Sequence, residues 1–213
     1  MSFLVLSAVA AAVAAGAGFA AARLRSPRSS APPEDSNQAD KMISTKADPT
    51  AELVLALDDV VSVEADDPSS GAGRRVRVDR WLAGAVVAFD GKDLVGALYA
   101  APEGVRTEFV SVLGSPRRDI GWLSRSEVSL GKPPPTTVEI EGRVLTRKRR
   151  LMVRFERLGR GAPNIGSEGV WAEYEAEGGI VAVALIGASE QLVACGMRYE
   201  AGEYDRIGKG AGS

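Results

Sequence analysis

Histidine is absent from the 213-residue chain, and Cys195 is its one cysteine. Histidine is the commonest general base and the commonest metal ligand in proteins, so a Ser-His-Asp triad and a Cys-His nucleophile are both excluded. A single cysteine cannot form a disulfide within the chain or build a cysteine-rich zinc or iron–sulfur site. We therefore assign no catalytic residue, no metal ligand and no cofactor from the sequence.

A strong charge of either sign is also lacking. The 26 Lys and Arg residues nearly balance the 28 Asp and Glu residues, and the formal net charge is −2. No general attraction to nucleic acid follows from this balance, and we expect no nucleic-acid partner. Cys195 lies in the apolar run 192–196, so we interpret it as a small core residue, with a reactive thiol as the alternative.

The N-terminal residues 3–22 form a long run without any charge, in which Ser7 is the one hydroxyl. As a helix rising about 1.5 Å per residue, the run would cross the roughly 30 Å hydrocarbon core of a bilayer. A cleaved signal peptide normally opens with a basic region, which this chain lacks. We therefore predict a transmembrane anchor at residues 1–25. Signal cleavage, which would yield a secreted or periplasmic domain, is the main alternative, and a buried core helix is the lesser one.

The charges that flank this run predict its orientation. Arg23, Arg25 and Arg28 follow the apolar segment directly. Cationic flanks tend to stay in the cytoplasm, so the short N-terminus is expected outside and the main domain inside. The predicted location is the cell membrane, with one membrane pass and a cytoplasmic soluble domain. A free cysteine agrees with a reducing compartment.

The next segment, residues 26–50, is rich in Pro, Ser, Asp and Lys and holds only Met42-Ile43 as an apolar pair. Such a composition buries too little apolar surface to offset the entropy of ordering, which predicts a disordered linker. The soluble part then divides at the stiff run Pro133–Pro135 into a first half at 51–132 and a second half at 133–207. Residues 208–213 are expected to be a flexible tail.

Beyond residue 50 the dominant hydrophobic period is two, which indicates β-strands. The predicted strands are 60–64, 75–81, 82–89, 93–99, 107–113, 120–124, 137–143, 150–156, 170–175, 180–186, 191–199 and 204–207. Asp90-Gly91 predicts a hairpin turn between two of them, and Glu141-Gly142-Arg143, at the end of the run 137–143, is also compatible with a turn. A short helix at 49–57 is also compatible with the pattern. Short strands separated by turn residues predict a mainly β fold, an antiparallel sandwich or barrel-like domain with two similar halves.

The order of these strands resembles a bacterial family known as domain of unknown function 4178. The resemblance rests on the opening at 57–61, the stretch Trp122–Glu127, the strand Trp171–Glu175 before Gly178-Gly179, and the closing strand 195–199. It covers roughly residues 50–207, although Phe109 stands where the family usually has a tryptophan. The resemblance implies a β-rich fold of two similar halves and carries no activity.

A basic run is the main candidate binding site. Its residues are Arg147, Lys148, Arg149, Arg150 and Arg154. Such a run is typical of an anion, headgroup or nucleic-acid patch, but alternation also makes it the solvated face of a strand. A second arginine cluster, at 74–80, has the same ordinary interpretation.

Two carboxylates are the other candidate. Glu173 and Glu175 share one face of a predicted strand beside Trp171, where they would suit acid–base chemistry or a divalent cation. The function expected from the sequence is a non-catalytic binding or assembly module, anchored in a membrane through residues 3–22 and bound to an unknown partner protein. A carboxylate-dependent, metal-assisted hydrolase is the alternative.

Overall fold

The structure is a computed structural model, which describes residues 53–66, 74–103, 106–113 and 118–208. The anchor predicted at 1–25, the linker at 26–50 and the tail after Gly208 lie outside these residues. Across the described ranges, no helix has the length and apolar character needed to cross a membrane.

Twelve β-strands and one short 3-10 turn make up the regular structure of the described residues. The strands are β1 Val60–Asp66, β2 Arg75–Trp81, β3 Gly84–Asp90, β4 Asp93–Glu103, β5 Arg106–Leu113, β6 Asp119–Ser126, β7 Thr137–Ile140, β8 Arg143–Gly159, β9 Glu168–Ala176, β10 Ile180–Ile186, β11 Gln191–Tyr199 and β12 Tyr204–Ile207. The 3-10 turn is Glu177–Gly179. The predicted mainly β, antiparallel class is confirmed.

Eight of these strands close into an antiparallel barrel. Their order is β3-β4-β5-β6-β11-β10-β9-β8, and β8 pairs back onto β3. The segments before and after Pro133–Pro135 each contribute four consecutive strands. The two groups meet at two long-range seams, β3 with β8 and β6 with β11. Closure leaves no free edge on these eight strands over their paired length.

The barrel interior is filled by apolar side chains, because every second residue of each strand points inward. This inner core includes Trp171, Phe109, Leu123, Val183 and Phe155. Trp171 has no exposed surface. Gly96 on β4 makes room for its ring, since a Cβ at Gly96 would lie 2.8 Å from Trp171 Cζ2. The barrel is therefore a packed core.

Two layers cover the outside of the barrel. The first is a three-stranded sheet of order β12-β1-β2, whose inner face packs with Tyr99 and Val110 on the β3–β6 wall. The second is the segment 128–140 with β7, which packs through Leu130 and Ile140 on the β9–β11 wall. Tyr174 Oη donates a hydrogen bond to Pro135 O at 3.1 Å in this second layer. Three apolar clusters result, one inside the barrel and one under each layer.

Local turn chemistry explains several strand boundaries. The two-residue loop Gly91-Lys92 joins β3 to β4, with Gly91 at φ 60°, as the Asp90-Gly91 signal predicts. Residues 53–57 are irregular, so the alternative of a helix there is wrong over this range. Leu53 and Leu55 instead pack under the first layer, and Tyr99 Oη donates to Leu55 O at 2.6 Å.

Candidate functional site

The basic run lies on β8, which is far longer than the strand predicted at 150–156. A bulge interrupts its pairing with β9 between Arg147 and Arg149. This extra residue sends three consecutive cations to three different places. The bulge thus divides the predicted patch.

Three of the five predicted binding residues contact groups on the second covering layer, on β9 or on β4. Arg147 donates to Pro134 O in the second covering layer. Lys148 Nζ lies 3.6 Å from Glu175 Oε2, and Arg149 Nη1 lies 3.7 Å from Glu173 Oε1. Arg149 also donates to Val95 O at 3.3 Å. These three cations support the barrel and its outer layer.

The other two predicted residues are brought together on the outer face of β8. Arg150 and Arg154 flank Met152 at a spacing of two, so all three side chains point outward. Met152 is 66% exposed. The Arg154 guanidinium lies 4.9 Å from the Phe89 ring centroid and pairs with Glu156. We call Arg150, Met152 and Arg154 the β8 stripe.

Neither covering layer covers the β8 stripe. The first layer packs on the wall formed by β3–β6. Phe89 lies on β3, the strand of this wall that adjoins β8, and is the register partner of Arg154. The second layer packs on the wall formed by β9–β11. Ala172 and Val170 lie on β9, the strand of this wall that adjoins β8, and are the register partners of Arg150 and Met152. The stripe is therefore a band of open surface between two filled outer clusters. Sequence reasoning missed Met152, although its place between two alternating arginines marks it.

The two candidate carboxylates lie at the end of the barrel where β9 finishes, which we call the Glu175 end. Trp171 Nε1 donates to Glu173 Oε1 at 2.7 Å. Glu175 Oε1 lies 3.5 Å from Arg198 Nη1, and Arg198 Nε donates to Asp119 Oδ2 at 3.0 Å. The hydrogen bond to Asp119 raises the pKa of Arg198. Charges of opposite sign thus alternate around this end.

This arrangement limits the chemistry of the carboxylates. Glu173 faces Arg149, while Glu175 faces both Lys148 and Arg198. A second cation at either carboxylate would have to displace the cationic side chain that already contacts it. Within the described ranges, no group of three or more His, Cys, Asp or Glu side chains is placed to hold a metal ion. At the Glu175 end, a network of ion pairs therefore covers the barrel core.

Two open clefts adjoin the same end of the barrel. One, of about 690 Å³, lies between β1 and β11 and is lined by Glu64, Arg75, Tyr199 and Glu203 among others. The second, of about 790 Å³, is lined by Val144, Lys148 and Glu175 among others. Both mix cations with carboxylates, so neither selects a ligand of one charge.

Two further side chains settle questions that the sequence raised. Cys195 is half-buried against the outer cluster of the second layer, and burial raises the pKa of its thiol. A reactive cysteine needs a lowered pKa, so the core interpretation fits better. Arg80 was expected on a solvated strand face, and this expectation is wrong. Arg80 points toward the barrel wall, is 7% exposed, and pairs with Glu108 at 3.0 Å.

Comparisons with known proteins add no relative to this geometry. No family model, no curated protein and no solved structure matches the chain.

Proposed function

We propose that the protein is a membrane-anchored, non-catalytic binding module that docks an acidic, extended segment of a partner protein on the β8 stripe. The main observation in support is that Met152 is 66% exposed between two arginines that point outward. The strands on either side of β8 belong to walls that the two outer layers cover. An exposed apolar side chain flanked by guanidinium groups suits a partner with an apolar residue between carboxylates.

The contrast within the basic run supports this choice of surface. Arg147, Lys148 and Arg149 already contact groups of the fold, so their charge is used internally. Arg154 pairs with Glu156 on its own strand, but its side chain remains 48% exposed. An arginine is better suited than a lysine to bidentate recognition of a carboxylate.

The anchor is part of the proposal and rests on the sequence. The uncharged run 3–22 and the arginines after it support a single membrane pass with the binding domain in the cytoplasm. The resemblance of residues 50–207 to domain of unknown function 4178 contributes a fold expectation and no activity. The alternative of a carboxylate-dependent hydrolase is weaker, because Glu173 and Glu175 both face cations.

The binding surface can be tested by charge reversal in the full chain. We expect the double variant Arg150→Glu/Arg154→Glu to lose its partner in a pull-down from detergent-solubilised membranes, with the same loss in the wild type at high salt. Arg125→Glu is the matched control, since Arg125 is exposed on β6, four strands away from β8 in either direction. Equal recovery of partner by both variants would remove the β8 stripe from the proposal.

The anchor can be tested by fractionation of a C-terminally tagged protein followed by intact mass measurement. We expect the protein in the membrane fraction, resistant to carbonate extraction, with its N-terminal segment retained. A soluble mature form that begins near residue 22 would replace the anchor with signal cleavage and a secreted or periplasmic domain.

A further inference from the structure

A second apolar surface lies on the first covering layer, away from the β8 stripe. Val60 on β1 is the register partner of Ile207 on β12 and of Trp81 on β2. The three side chains therefore form one row across the sheet. Trp81 is 47% exposed and Ile207 57% exposed. We call this row the Trp81 ladder.

The row faces outward, because its sequence neighbours face the barrel. Val61 and Arg80, one residue along from Val60 and Trp81, are buried. Five large hydrophobic residues are exposed among the described residues, and only Trp81 and Ile207 share a cross-strand row with an apolar residue between them. A row of large apolar side chains that are about half exposed marks a contact surface.

The ladder lies where the described chain begins. Arg206, next to Ile207, donates to Val54 O at 2.8 Å. The backbone of Asp59, next to Val60, accepts a hydrogen bond from Leu82 N at 2.9 Å. Leu82 lies two residues before Gly84, where β3 begins. Because β3 begins at the end of the barrel opposite to the Glu175 end, the ladder lies at that opposite end. The polypeptide from the N-terminal apolar run thus joins the domain beside the ladder.

Chain length decides what can reach this surface. If residues 3–22 span the bilayer, roughly 30 residues separate the membrane from Leu53, and a flexible chain of that length has an end-to-end distance of about 30 Å. That distance is comparable to the width of a small domain, so the barrel end opposite to the Glu175 end, which we call the Leu53 end, lies within reach of the lipid. Tryptophan favours the membrane–water interface, where its ring is apolar and its N–H stays hydrated.

We propose that the Trp81 ladder contacts the lipid bilayer and holds the domain on the membrane surface. This inference rests on the anchor of the proposed function and adds an orientation to it. The domain would lie with the Leu53 end against the lipid, which leaves the Glu175 end facing the aqueous side.

The charges beside the ladder specify the lipid class. The next row on the same face contains Asp79 and Asp205 on either side of Ser62. Arg77 pairs with both carboxylates, at 3.3 Å and 3.4 Å. No cluster of lysine and arginine is present in these rows, whereas anionic lipids are recognised by such clusters. Contact should therefore occur on zwitterionic phosphatidylcholine and gain nothing from added phosphatidylserine.

The full chain offers a clean labelling experiment, because Cys195 is its only cysteine. In a Cys195→Ala background, Ile207→Cys places a polarity-sensitive fluorophore on the ladder. Val144→Cys is the matched control, since Val144 is 65% exposed at the Glu175 end. Both proteins are reconstituted into phosphatidylcholine vesicles with and without a lipid-borne nitroxide quencher.

We expect a blue shift and several-fold stronger quenching at position 207 than at position 144. Equal quenching at both positions in protein that floats with the vesicles would overturn the ladder contact while leaving the anchor intact. Protein that fails to float would overturn the anchor and the ladder contact together. A position 207 label shielded from the quencher but close to a second label would assign the ladder to a contact between two copies.

A second measurement avoids the cysteine substitutions. Quenching of intrinsic fluorescence by brominated phosphatidylcholine should fall several-fold in Trp81→Phe, because Trp171 is buried in the barrel and Trp122 lies beneath Arg80. Unchanged quenching in Trp81→Phe would count against the ladder contact.

Discussion

The guanidinium of Arg80 stacks on the indole ring of Trp122, with 3.9 Å between the Arg80 Cζ atom and the ring centroid. Arg80 belongs to the first covering layer and Trp122 to the barrel wall. Arg80 Nη1 also donates to Phe109 O at 2.9 Å and to Leu123 O at 3.2 Å. Burial lowers the pKa of Arg80 to about 10, although Glu108 opposes that shift. One side chain thus joins the layer to the barrel.

Removing the Arg80 side chain should destabilise the domain strongly. Arg80→Ala leaves Glu108 buried without its cation, and breaking a buried pair costs roughly 3–5 kcal/mol. The double variant Arg80→Met/Glu108→Leu should recover much of this loss, because no unpaired charge remains. Urea denaturation measures the free energy of unfolding of each variant. A loss in Arg80→Ala of less than about 1 kcal/mol, the size of a surface pair, would show that Arg80 is not a buried link.

A methyl group at Gly96 should disturb the barrel core. Its Cβ would lie 2.8 Å from Trp171 Cζ2, and overpacking of this kind typically costs about 1–3 kcal/mol. Gly131→Ala is the control, since the nearest atom to its Cβ would be 3.7 Å away. Thermal unfolding followed by circular dichroism should show a lower melting temperature for Gly96→Ala alone. A melting temperature of Gly96→Ala no lower than that of Gly131→Ala would show that the core accommodates the methyl group.

Divalent cations should leave the stability of the domain unchanged. Glu173 and Glu175 face Arg149, Lys148 and Arg198, so a metal ion would have to displace these partners. We expect no shift in melting temperature when Mg²⁺, Mn²⁺ or Zn²⁺ is titrated into chelator-treated protein. A saturable rise that disappears in Glu175→Gln would instead favour the hydrolase.

Replacing Glu173 separates its hydrogen bond from its charge. Glu173→Gln keeps an acceptor for Trp171 Nε1, whereas Glu173→Ala leaves that buried donor unsatisfied at a cost of about 1–3 kcal/mol. The alanine variant should therefore unfold at clearly lower denaturant concentration than the glutamine variant. Equal midpoints would mean that the charge opposite Arg149 matters more than the hydrogen bond.

Ionisation of tyrosine should destabilise the domain as the pH rises above 10. Burial raises the pKa of Tyr174, Tyr199 and Tyr204 above the ordinary value of 10.0. A raised pKa stabilises the fold fully below the unfolded value, and this contribution is lost as the pH rises through the folded value. Arg80 acts in the opposite sense, because its pKa is lowered. The tyrosine contribution is therefore measured as a difference between two proteins. The midpoint of urea unfolding of Tyr204→Phe should rise relative to that of the wild type as the pH increases above 10. An identical pH dependence in the two proteins would contradict the raised pKa of Tyr204.

Much of the fold could be predicted from local pattern. The alternation at 75–81, the apolar run 180–186 and the stretch 191–199 became strands β2, β10 and β11 with the predicted bounds. The turn residues Asp90-Gly91 and Glu141-Gly142 also lie where the chain reverses. Hydrophobic periodicity and turn residues are properties of neighbouring positions in the chain. They can therefore be recognised in a single sequence.

The candidate site was less predictable. Residues 147–150 are four cations in a row, so alternation gave no sign that β8 extends from Arg143 to Gly159. Period two places Arg80 on the face of β2 opposite to Arg75 and Arg77, but only the barrel wall shows that Arg80 is buried there. Period two tells which residues of a strand share a face. Period two does not show which other strand or layer packs against that face.

The sequence by itself determined most of the strands, the hairpin turns and the absence of histidine chemistry, because each depends on residue type and short spacing. Tertiary structure alone decided that β3 pairs with β8 and β6 with β11, which closes the barrel. It also decided that a bulge at Lys148 divides the basic run, and that Trp81, Val60 and Ile207 align in one row. These outcomes join residues far apart in the chain, and their pairing depends on how all the apolar faces are buried together.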